Sequence, residues 1–181
     1  YVWHGSFLGL GAAPAWTADG EQANALFGQA VSGAGDVNGD GNADVVVGAP
    51  GQSKAFVYEG SFDGLTDTSR WSYAGTSGSV FGWAVSSAGD TDGDGYDDVV
   101  VGDYLTSGAA GAQTGAAYLF EGSLFGLSAA PSWTDEGESD GAAYGYSVAK
   151  AGDANGDGYS DVLVGAPTHE TTVVGAGRVY L

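Results

Sequence analysis

Asp36-Val37-Asn38-Gly39-Asp40-Gly41-Asn42-Ala43-Asp44 is an acidic stretch whose pattern the chain repeats at residues 90–98 and 153–161. Side chains that carry oxygen occupy positions 1, 3, 5 and 9 of each copy, and glycine occupies positions 4 and 6. Glycine permits a tight turn there because it adopts positive φ angles at little cost. Hard cations such as Ca²⁺ take about 6–8 oxygen ligands, so they need carboxylates that a tight turn folds inward. The three copies therefore predict three calcium-binding loops, here named loop 1, loop 2 and loop 3 in chain order.

The predicted ligands are the side chains at positions 1, 3, 5 and 9 and the main-chain carbonyl at position 7, where the side chain varies. They are Asp36, Asn38, Asp40, Asn42 and Asp44 in loop 1, Asp90, Asp92, Asp94, Tyr96 and Asp98 in loop 2, and Asp153, Asn155, Asp157, Tyr159 and Asp161 in loop 3. A solvated turn is the alternative for a single copy, but carboxylates fixed at the same offsets three times repel one another without a cation. Position 12 is valine in every loop, where the helix–loop–helix calcium motif has a bidentate Glu, so we exclude that motif.

The overall charge narrows the classes of partner. The chain has 23 Asp and Glu against 4 Lys and Arg, for a net charge of −19, which argues against nucleic acid and anionic membrane surfaces. No run of about 18 apolar residues is present, so we expect no membrane insertion. Loops of this kind are most useful where calcium is millimolar, so we expect an extracellular or cell-surface location. With no signal peptide and no Met, the chain is expected to be a mature or excised piece of a longer protein.

Repetition extends far beyond the loops. Residues 1–10, 56–65 and 118–127 each contain an alternating apolar run followed by a Gly-Ser turn. This pattern is typical of a strand. A tryptophan in a second short strand follows each run, at Trp16, Trp71 and Trp133. An aromatic-glycine pair opens the strand before each loop, at Phe27, Phe81 and Tyr144. These aromatic residues and the three tryptophans are expected to form core between sheets.

Each loop is followed by a run of β-branched residues, typical of a strand buried on both faces. These runs are Val45–Val47, Val99–Val101 and Val162–Val164. The loops recur at spacings of about 54 and 63 residues, and the extra length falls at residues 104–114, which we expect to form an exposed loop. No segment has helical periodicity. Four short strands in each repeat predict an all-β fold, a β-propeller of four-stranded antiparallel blades.

The order Phe-Gly, acidic loop, Gly-Ala-Pro resembles the FG-GAP repeat of the integrin α-subunit β-propeller, a repeat that also has bacterial relatives. The resemblance covers essentially the whole chain. It implies that calcium lies in the hairpin loop between the first and second strands of a blade, with ligands at the positions given above. Two departures occur, Gly102-Asp103 in place of Gly-Ala-Pro and Tyr144 in place of Phe, and neither is a calcium ligand.

The repeats predict a single propeller segment over residues 1–181 with three blades, circularly permuted at the termini. Residues 1–20 join the C-terminal strands in the permuted blade, and the other boundaries fall at about 21–74, 75–135 and 136–181. Three blades are too few to close around an axis, since propellers have about 4–8. We therefore expect a homo-oligomer, with a six-bladed homodimer favoured, and a fragment of a longer array as the alternative.

Two classes of function remain open. The first is a calcium-stabilised adhesion or binding module with a protein or glycan ligand, for which Trp83 and Tyr146 are candidate surface contacts. The second is a propeller-scaffold lyase or hydrolase, and a purely structural or engineered fragment is a third reading. His4 and His169 have no further ligands at fixed spacing, so both are expected to be surface residues. We therefore expect a non-enzyme with no catalytic residue and no cofactor other than three Ca²⁺.

Overall fold

The computed structural model describes residues 1–170 and 175–181, and in these ranges the regular structure is almost entirely β. The strands are β1 Gly5–Ser6, β2 Gly9–Leu10, β3 Ala30–Gly35, β4 Asp44–Ala49, β5 Lys54–Tyr58, β6 Trp71–Ala74, β7 Ala84–Gly89, β8 Asp98–Asp103, β9 Ala116–Phe120, β10 Trp133–Glu136, β11 Ser147–Gly152, β12 Asp161–Ala166 and β13 Arg178–Tyr180. A short 3-10 turn at Pro50–Gln52 follows β4.

The strands form antiparallel sheets in chain order. Blade 1 is the sheet β3-β4-β5-β6, blade 2 is β7-β8-β9-β10, and blade 3 is the three-stranded sheet β11-β12-β13. A β1-β2 hairpin and a single antiparallel bridge from Val2 to Trp16 precede them. This architecture confirms the all-β prediction and fits a partial propeller.

The core lies between successive blades, because each sheet has two faces and must cover both with neighbours. Between blades 1 and 2, Val46 and Val57 pack in one cluster with Phe81, Val99 and Phe120. A second cluster joins blade 2 to blade 3, formed by Ala117, Tyr144, Val164 and Ala166. Phe81 and Tyr144 are therefore core residues, as predicted from their recurrence.

Glycine allows the inner strands of neighbouring blades to approach closely. A Cβ atom on Gly48 would overlap the carbonyl oxygen of Gly82 in the next blade, and a Cβ on Gly102 would overlap that of Gly145. The equivalent residue of blade 3, Gly165, meets only the side chain and carbonyl of Ser147 in its own sheet. The glycine of the Gly-Ala-Pro motif is thus a contact between blades.

Burial of the second strand depends on whether another blade follows. Strand β8 is buried along its whole length and β4 nearly so, as predicted, whereas β12 is largely half-buried. The tryptophans behave in the same way. Trp16 and Trp71 donate indole N–H bonds to Thr66 and Ser128 in the following repeat, at 3.1 and 2.9 Å. Trp133 has no such neighbour among the described residues and is 39% exposed, so the prediction that it is core is wrong.

Two other expectations concern polar segments. Residues 104–114 are mostly exposed or half-buried, as predicted, except for buried Thr114. His169 is only 4% exposed, so its assignment to the surface is wrong; its ring lies beside Ser139 and edge-on to Tyr180. No helix among the described residues has the length and apolar character needed to cross a bilayer.

Candidate metal centres

Each acidic loop connects the first and second strands of a blade. Loop 1 lies between β3 and β4, loop 2 between β7 and β8, and loop 3 between β11 and β12. The strand register shifts by one residue where each loop begins, with the irregularity ending at Gly35, Gly89 and Gly152. This bulge lets the chain leave the sheet directly into the loop.

Glycine provides the tight turn inside each loop. The φ angles at positions 4 and 6 are +72° and +86° in loop 1, +81° and +93° in loop 2, and +80° and +97° in loop 3. Other residues rarely adopt this left-handed region. The prediction that these glycines are needed for the turn is therefore confirmed.

The turn wraps around the first carboxylate. In loop 1, Asp36 Oδ1 accepts the N–H of Asp40 at 3.1 Å and Asp36 Oδ2 accepts that of Gly41 at 2.8 Å. The position-1 aspartates of loops 2 and 3 make the same pair of bonds, at 2.9–3.1 Å. Three loops with one internal hydrogen-bond pattern hold their carboxylates in place without help from basic residues.

Positions 3 and 5 complete the acidic group. In loop 2, one carboxylate oxygen from each of Asp90, Asp92 and Asp94 lies within 4.8 Å of the others. In loops 1 and 3 position 3 is Asn38 or Asn155, whose amide oxygen accepts the N–H of position 5 at 3.0 and 2.9 Å. Because an amide oxygen that accepts one hydrogen bond keeps a second lone pair, the oxygens of Asn38 and Asn155 still have capacity for a cation.

Position 9 has a structural role that the sequence did not reveal. Asp44 and Asp98 are fully buried, and each binds one backbone N–H of its own loop and one of a later glycine. Gly60 N–H donates to Asp44 Oδ1 and Gly122 N–H donates to Asp98 Oδ1, both at 2.8 Å. Position 9 therefore connects the loop to the Gly-Ser turn after the third strand, and the recurring Gly-Ser dipeptide was the available signal.

Burial and neighbouring negative charge raise the pKa of individual carboxylates in loops 1 and 2. Burial raises the pKa of Asp44, and the charges of Asp40 and Asp36 raise it further, against the effect of its backbone hydrogen bonds. Burial likewise raises the pKa of Asp92, with the charges of Asp94 and Asp98 acting in the same direction. A divalent cation would reverse this repulsion, because nearby positive charge favours ionised carboxylates.

No basic residue neutralises the predicted ligands among the described residues. The ion pairs there join Arg70 to Glu59, Arg178 to Glu138 and Lys150 to Asp97. Lys150 is the base nearest to a loop, with Nζ 3.9 Å from Asp97 Oδ1, and Asp97 occupies position 8, which is not a predicted ligand position. The oxygen-rich donor set thus fits a hard cation such as Ca²⁺.

Successive loops also contact each other, which sequence reasoning missed. Asp97 N–H donates to the carbonyl of Asp36 at 3.1 Å, and Ser160 N–H donates to that of Asp90 at 2.9 Å. Position 8 of one loop therefore binds position 1 of the loop before it. The ring of Tyr96 also covers Gly39, so the position-7 side chain has a packing role beside its predicted carbonyl role.

Comparison with known proteins identifies the repeats. A sequence model of the FG-GAP-like repeat matches residues 36–101, and one of the FG-GAP repeat matches residues 144–181. Integrin alpha-4 of Xenopus laevis is 32% identical over 168 residues, which is 87% of this chain. This chain is an FG-GAP, integrin-α-like domain.

Other similar proteins agree with this assignment. Integrin alpha-PS5 of Drosophila melanogaster is 34% identical over 178 residues, and human integrin alpha-6 is 32% identical over 166 residues, which are 90% and 86% of this FG-GAP domain. The domain spans only 16% of the length of integrin alpha-4 and of integrin alpha-PS5 and 14% of integrin alpha-6. The resemblance therefore concerns one region of these much longer proteins.

Proposed function

We propose that this FG-GAP domain is a calcium-binding β-propeller module of an extracellular or cell-surface adhesion or binding protein. The observation that carries the proposal is the grouping of Asp90, Asp92 and Asp94, with the same turn geometry in loops 1 and 3. The ligands would be the side chains at positions 1, 3, 5 and 9 and the carbonyl at position 7, with one Ca²⁺ in each loop. Calcium is favoured over Mg²⁺ because Mg²⁺ demands a near-ideal octahedron and sheds its water reluctantly.

The role of the metal would be to hold the loops, with partner binding elsewhere on the blades. Trp83, Tyr104 and Tyr146 form an aromatic cluster with ring centroids 4.8–5.8 Å apart. Trp83 precedes β7 and Tyr104 follows β8, so the cluster lies at the opposite end of blade 2 from loop 2. Tyr146 is 44% exposed. This aromatic face is the surface we propose for a protein or glycan ligand, and it supports binding over catalysis.

Assembly is the second part of the proposal. The blades at the two ends of the chain each have a sheet face with no neighbouring blade among the described residues. A homodimer with six blades, closed head to tail, would cover them. The blade boundaries predicted from the repeats, at residues 21–74, 75–135 and 136–181, belong to the same proposal.

The metal proposal is tested by calorimetric titration of calcium into metal-free protein. We expect three ions for the wild type and two for each of Asp40→Ala, Asp94→Ala and Asp157→Ala, since each change removes the position-5 carboxylate of one loop. Asp63→Ala is the matched control, because Asp63 is an exposed aspartate in a Gly-Ser turn outside the loops. Equal stoichiometry in all five proteins would contradict the proposed sites.

A further inference from the structure

Position 8 of loop 2 binds the main chain at position 1 of loop 1 through two hydrogen bonds. Asp97 N–H donates to the carbonyl of Asp36 at 3.1 Å, and Asp36 N–H donates to Asp97 Oδ2 at 3.0 Å. A hydrogen bond to an ionised carboxylate is stronger than one between neutral groups. These two bonds, here named the Asp97 clamp, fix the N–H and the carbonyl of one residue of loop 1 to loop 2.

Neighbouring residues hold the Asp97 carboxylate in place. Gly35, which precedes Asp36, has a φ angle of +85°, and a Cβ atom there would overlap this carboxylate. Lys150 of blade 3 lies with its Nζ 3.9 Å from Asp97 Oδ1, and the Asp97 side chain is 30% exposed. The carboxylate is therefore packed against loop 1 and paired with a base of blade 3.

The Asp97 clamp lies between predicted ligands of two loops. Asp97 stands between Tyr96 and Asp98, whose carbonyl and carboxylate are the predicted ligands at positions 7 and 9 of loop 2. Asp36 is the predicted ligand at position 1 of loop 1, and the turn of that loop wraps around its carboxylate. A cation that fixes residues 96–98 would therefore also fix the main chain that carries the first ligand of loop 1.

A second connection joins the same two loops through the Gly-Ser turn of blade 2. Asp98 Oδ1 accepts the N–H of Gly122 at 2.8 Å, and the next residue, Ser123, donates its N–H to the carbonyl of Val37 at 3.1 Å. Val37 is buried and occupies position 2 of loop 1. Both connections thus run from predicted ligands of loop 2 to the first residues of loop 1.

The junction between loops 2 and 3 has only the main-chain half of such a clamp. Ser160 occupies position 8 of loop 3, and its N–H donates to the carbonyl of Asp90 at 2.9 Å. The Ser160 hydroxyl lies against Gly89, where a Cβ atom would overlap it. Serine at position 8 is therefore compatible with the fold and retains the main-chain bond between loops.

We infer that Asp97 is a positioning residue that couples calcium binding in loop 1 to calcium binding in loop 2. An ion in loop 2 would order the Asp97 clamp, so that loop 1 has less conformational freedom to lose when it binds its own ion. Coupling of this kind is reciprocal and typically changes affinity by a factor of about 5–150. The inference rests on the proposed function, because it concerns two of the proposed calcium sites.

The charge of the ligands determines which of the two loops fills first. All four side-chain positions of loop 2 are carboxylates, whereas loop 1 has the neutral Asn38 at position 3. The number of charged ligands is one of the factors that set calcium affinity in protein loops. We therefore expect loop 2 to fill first, so that loop 1 of the wild type binds its ion beside an occupied loop.

Calcium titration followed by NMR measures the coupling loop by loop. The glycine at position 6 donates its N–H to the position-1 carboxylate, at 2.8 Å for Gly41 and 3.0 Å for Gly95, so these two amide signals report loops 1 and 2 separately. Asp94→Ala removes the position-5 carboxylate of loop 2 and leaves that loop empty. We expect this change to weaken calcium binding at Gly41 by about tenfold, because loop 1 then binds beside a disordered neighbour.

Substitution of Asp97 tests whether its side chain carries the coupling. Asp97→Ser keeps the main-chain bond but withdraws the carboxylate that accepts the Asp36 N–H. In the Asp97→Ser protein, we expect Asp94→Ala to weaken binding at Gly41 by less than about threefold. A direct effect of Asp97→Ser on loop 1 is present with and without Asp94→Ala, so it cancels in this ratio, and a merely structural role of Asp97 would leave the ratio unchanged.

Two matched controls isolate the hydrogen bond from the charge. Asp97→Asn makes the same change in charge as Asp97→Ser but keeps an oxygen that can accept the Asp36 N–H, so we expect it to retain the coupling. Lys150→Gln removes the ion pair with Asp97 and leaves the Asp97 clamp intact, so we expect it to retain the coupling as well.

Each possible result of the titrations decides a different part of the inference. An unchanged midpoint at Gly41 in Asp94→Ala would overturn the coupling, and an undiminished ratio in Asp97→Ser would overturn the role of Asp97. Wild-type signals of Gly41 and Gly95 that do not respond to calcium would contradict the proposed function and the inference together. Signals that both respond, but independently of each other, would overturn the inference alone.

Discussion

Asp103 is a buried carboxylate at the position where blades 1 and 3 have Ala49 and Ala166. Its Oδ1 accepts the N–H of Val80 at 3.1 Å, and its Oδ2 has no hydrogen-bond partner among the described residues. Burial raises the pKa of this group above its usual value of 3.8, in spite of the hydrogen bonds it accepts. Folding therefore shifts this carboxyl toward its protonated form relative to the unfolded chain.

Asp103→Asn tests the energetic consequence of that burial. Because the folded-state pKa is raised, the stabilising contribution is complete below about pH 3.8 and is lost as the pH rises through the folded-state pKa. The amide keeps an acceptor for the Val80 N–H and does not ionise. We expect the free energy of unfolding of the variant to increase relative to that of the wild type as the pH rises above about 4. Urea unfolding at several pH values measures this, and parallel pH profiles would contradict it.

Tryptophan side chains connect blades at the scale of single strands. The Trp71 indole N–H, at the start of β6, donates to the Ser128 carbonyl of the next repeat at 2.9 Å. Trp71→Phe keeps an aromatic ring but leaves that partly buried carbonyl without its donor, so we expect a loss of about 1 kcal/mol in the free energy of unfolding. Denaturant unfolding at fixed calcium concentration provides the measurement.

Trp133→Phe is the matched control, because Trp133 starts β10 and is 39% exposed with no indole hydrogen bond in the part of the chain that is described. Exposed substitutions of this kind change stability by less than about 0.5 kcal/mol. Equal effects of the two substitutions would show that the contact between repeats contributes little.

The sequence was most informative where local chemistry determines conformation. The paired glycines and acids of each loop, and the β-branched runs after them, predicted the turn and strands such as β4 and β8 correctly. The contacts across blades could not be predicted. Trp71 and Trp133 occupy equivalent positions in their repeats, but Trp71 is half-buried against the following blade while Trp133 is exposed. The link between Asp97 and Asp36 likewise joins residues that are far apart in the chain.

At the scale of the whole molecule, the excess of acidic residues leads us to expect that bound calcium strongly raises the stability of the fold. The net charge is −19, and ten of the acids lie at predicted ligand positions. Each ion bound at the proposed sites would stabilise the fold by about 2.7 kcal/mol when free calcium is 100 times the dissociation constant. For a chain of this size about 1 kcal/mol shifts the melting temperature by about 2–4 °C, so chelation should lower it by more than about 5 °C.

A melting curve in chelator, in calcium and in magnesium checks that expectation. Magnesium should restore less than calcium, because it does not fit a loop of many protein oxygens as well. Identical curves in chelator and calcium would contradict the expectation that calcium stabilises this fold. Addition of excess calcium after chelation controls for irreversible unfolding.

Because the contacts between blades have the same form at each junction, the fold has a simple way to lengthen. A repeat inserted between blades 1 and 2 would contact blade 1 as blade 2 does now. On its other side it would contact blade 2 as blade 1 does now. The close backbone contact between Gly48 and Gly82 would be repeated at the additional junction. Stability that depends on nearest neighbours tolerates such insertions. Duplication of a single repeat is therefore a ready evolutionary path between arrays of different blade number.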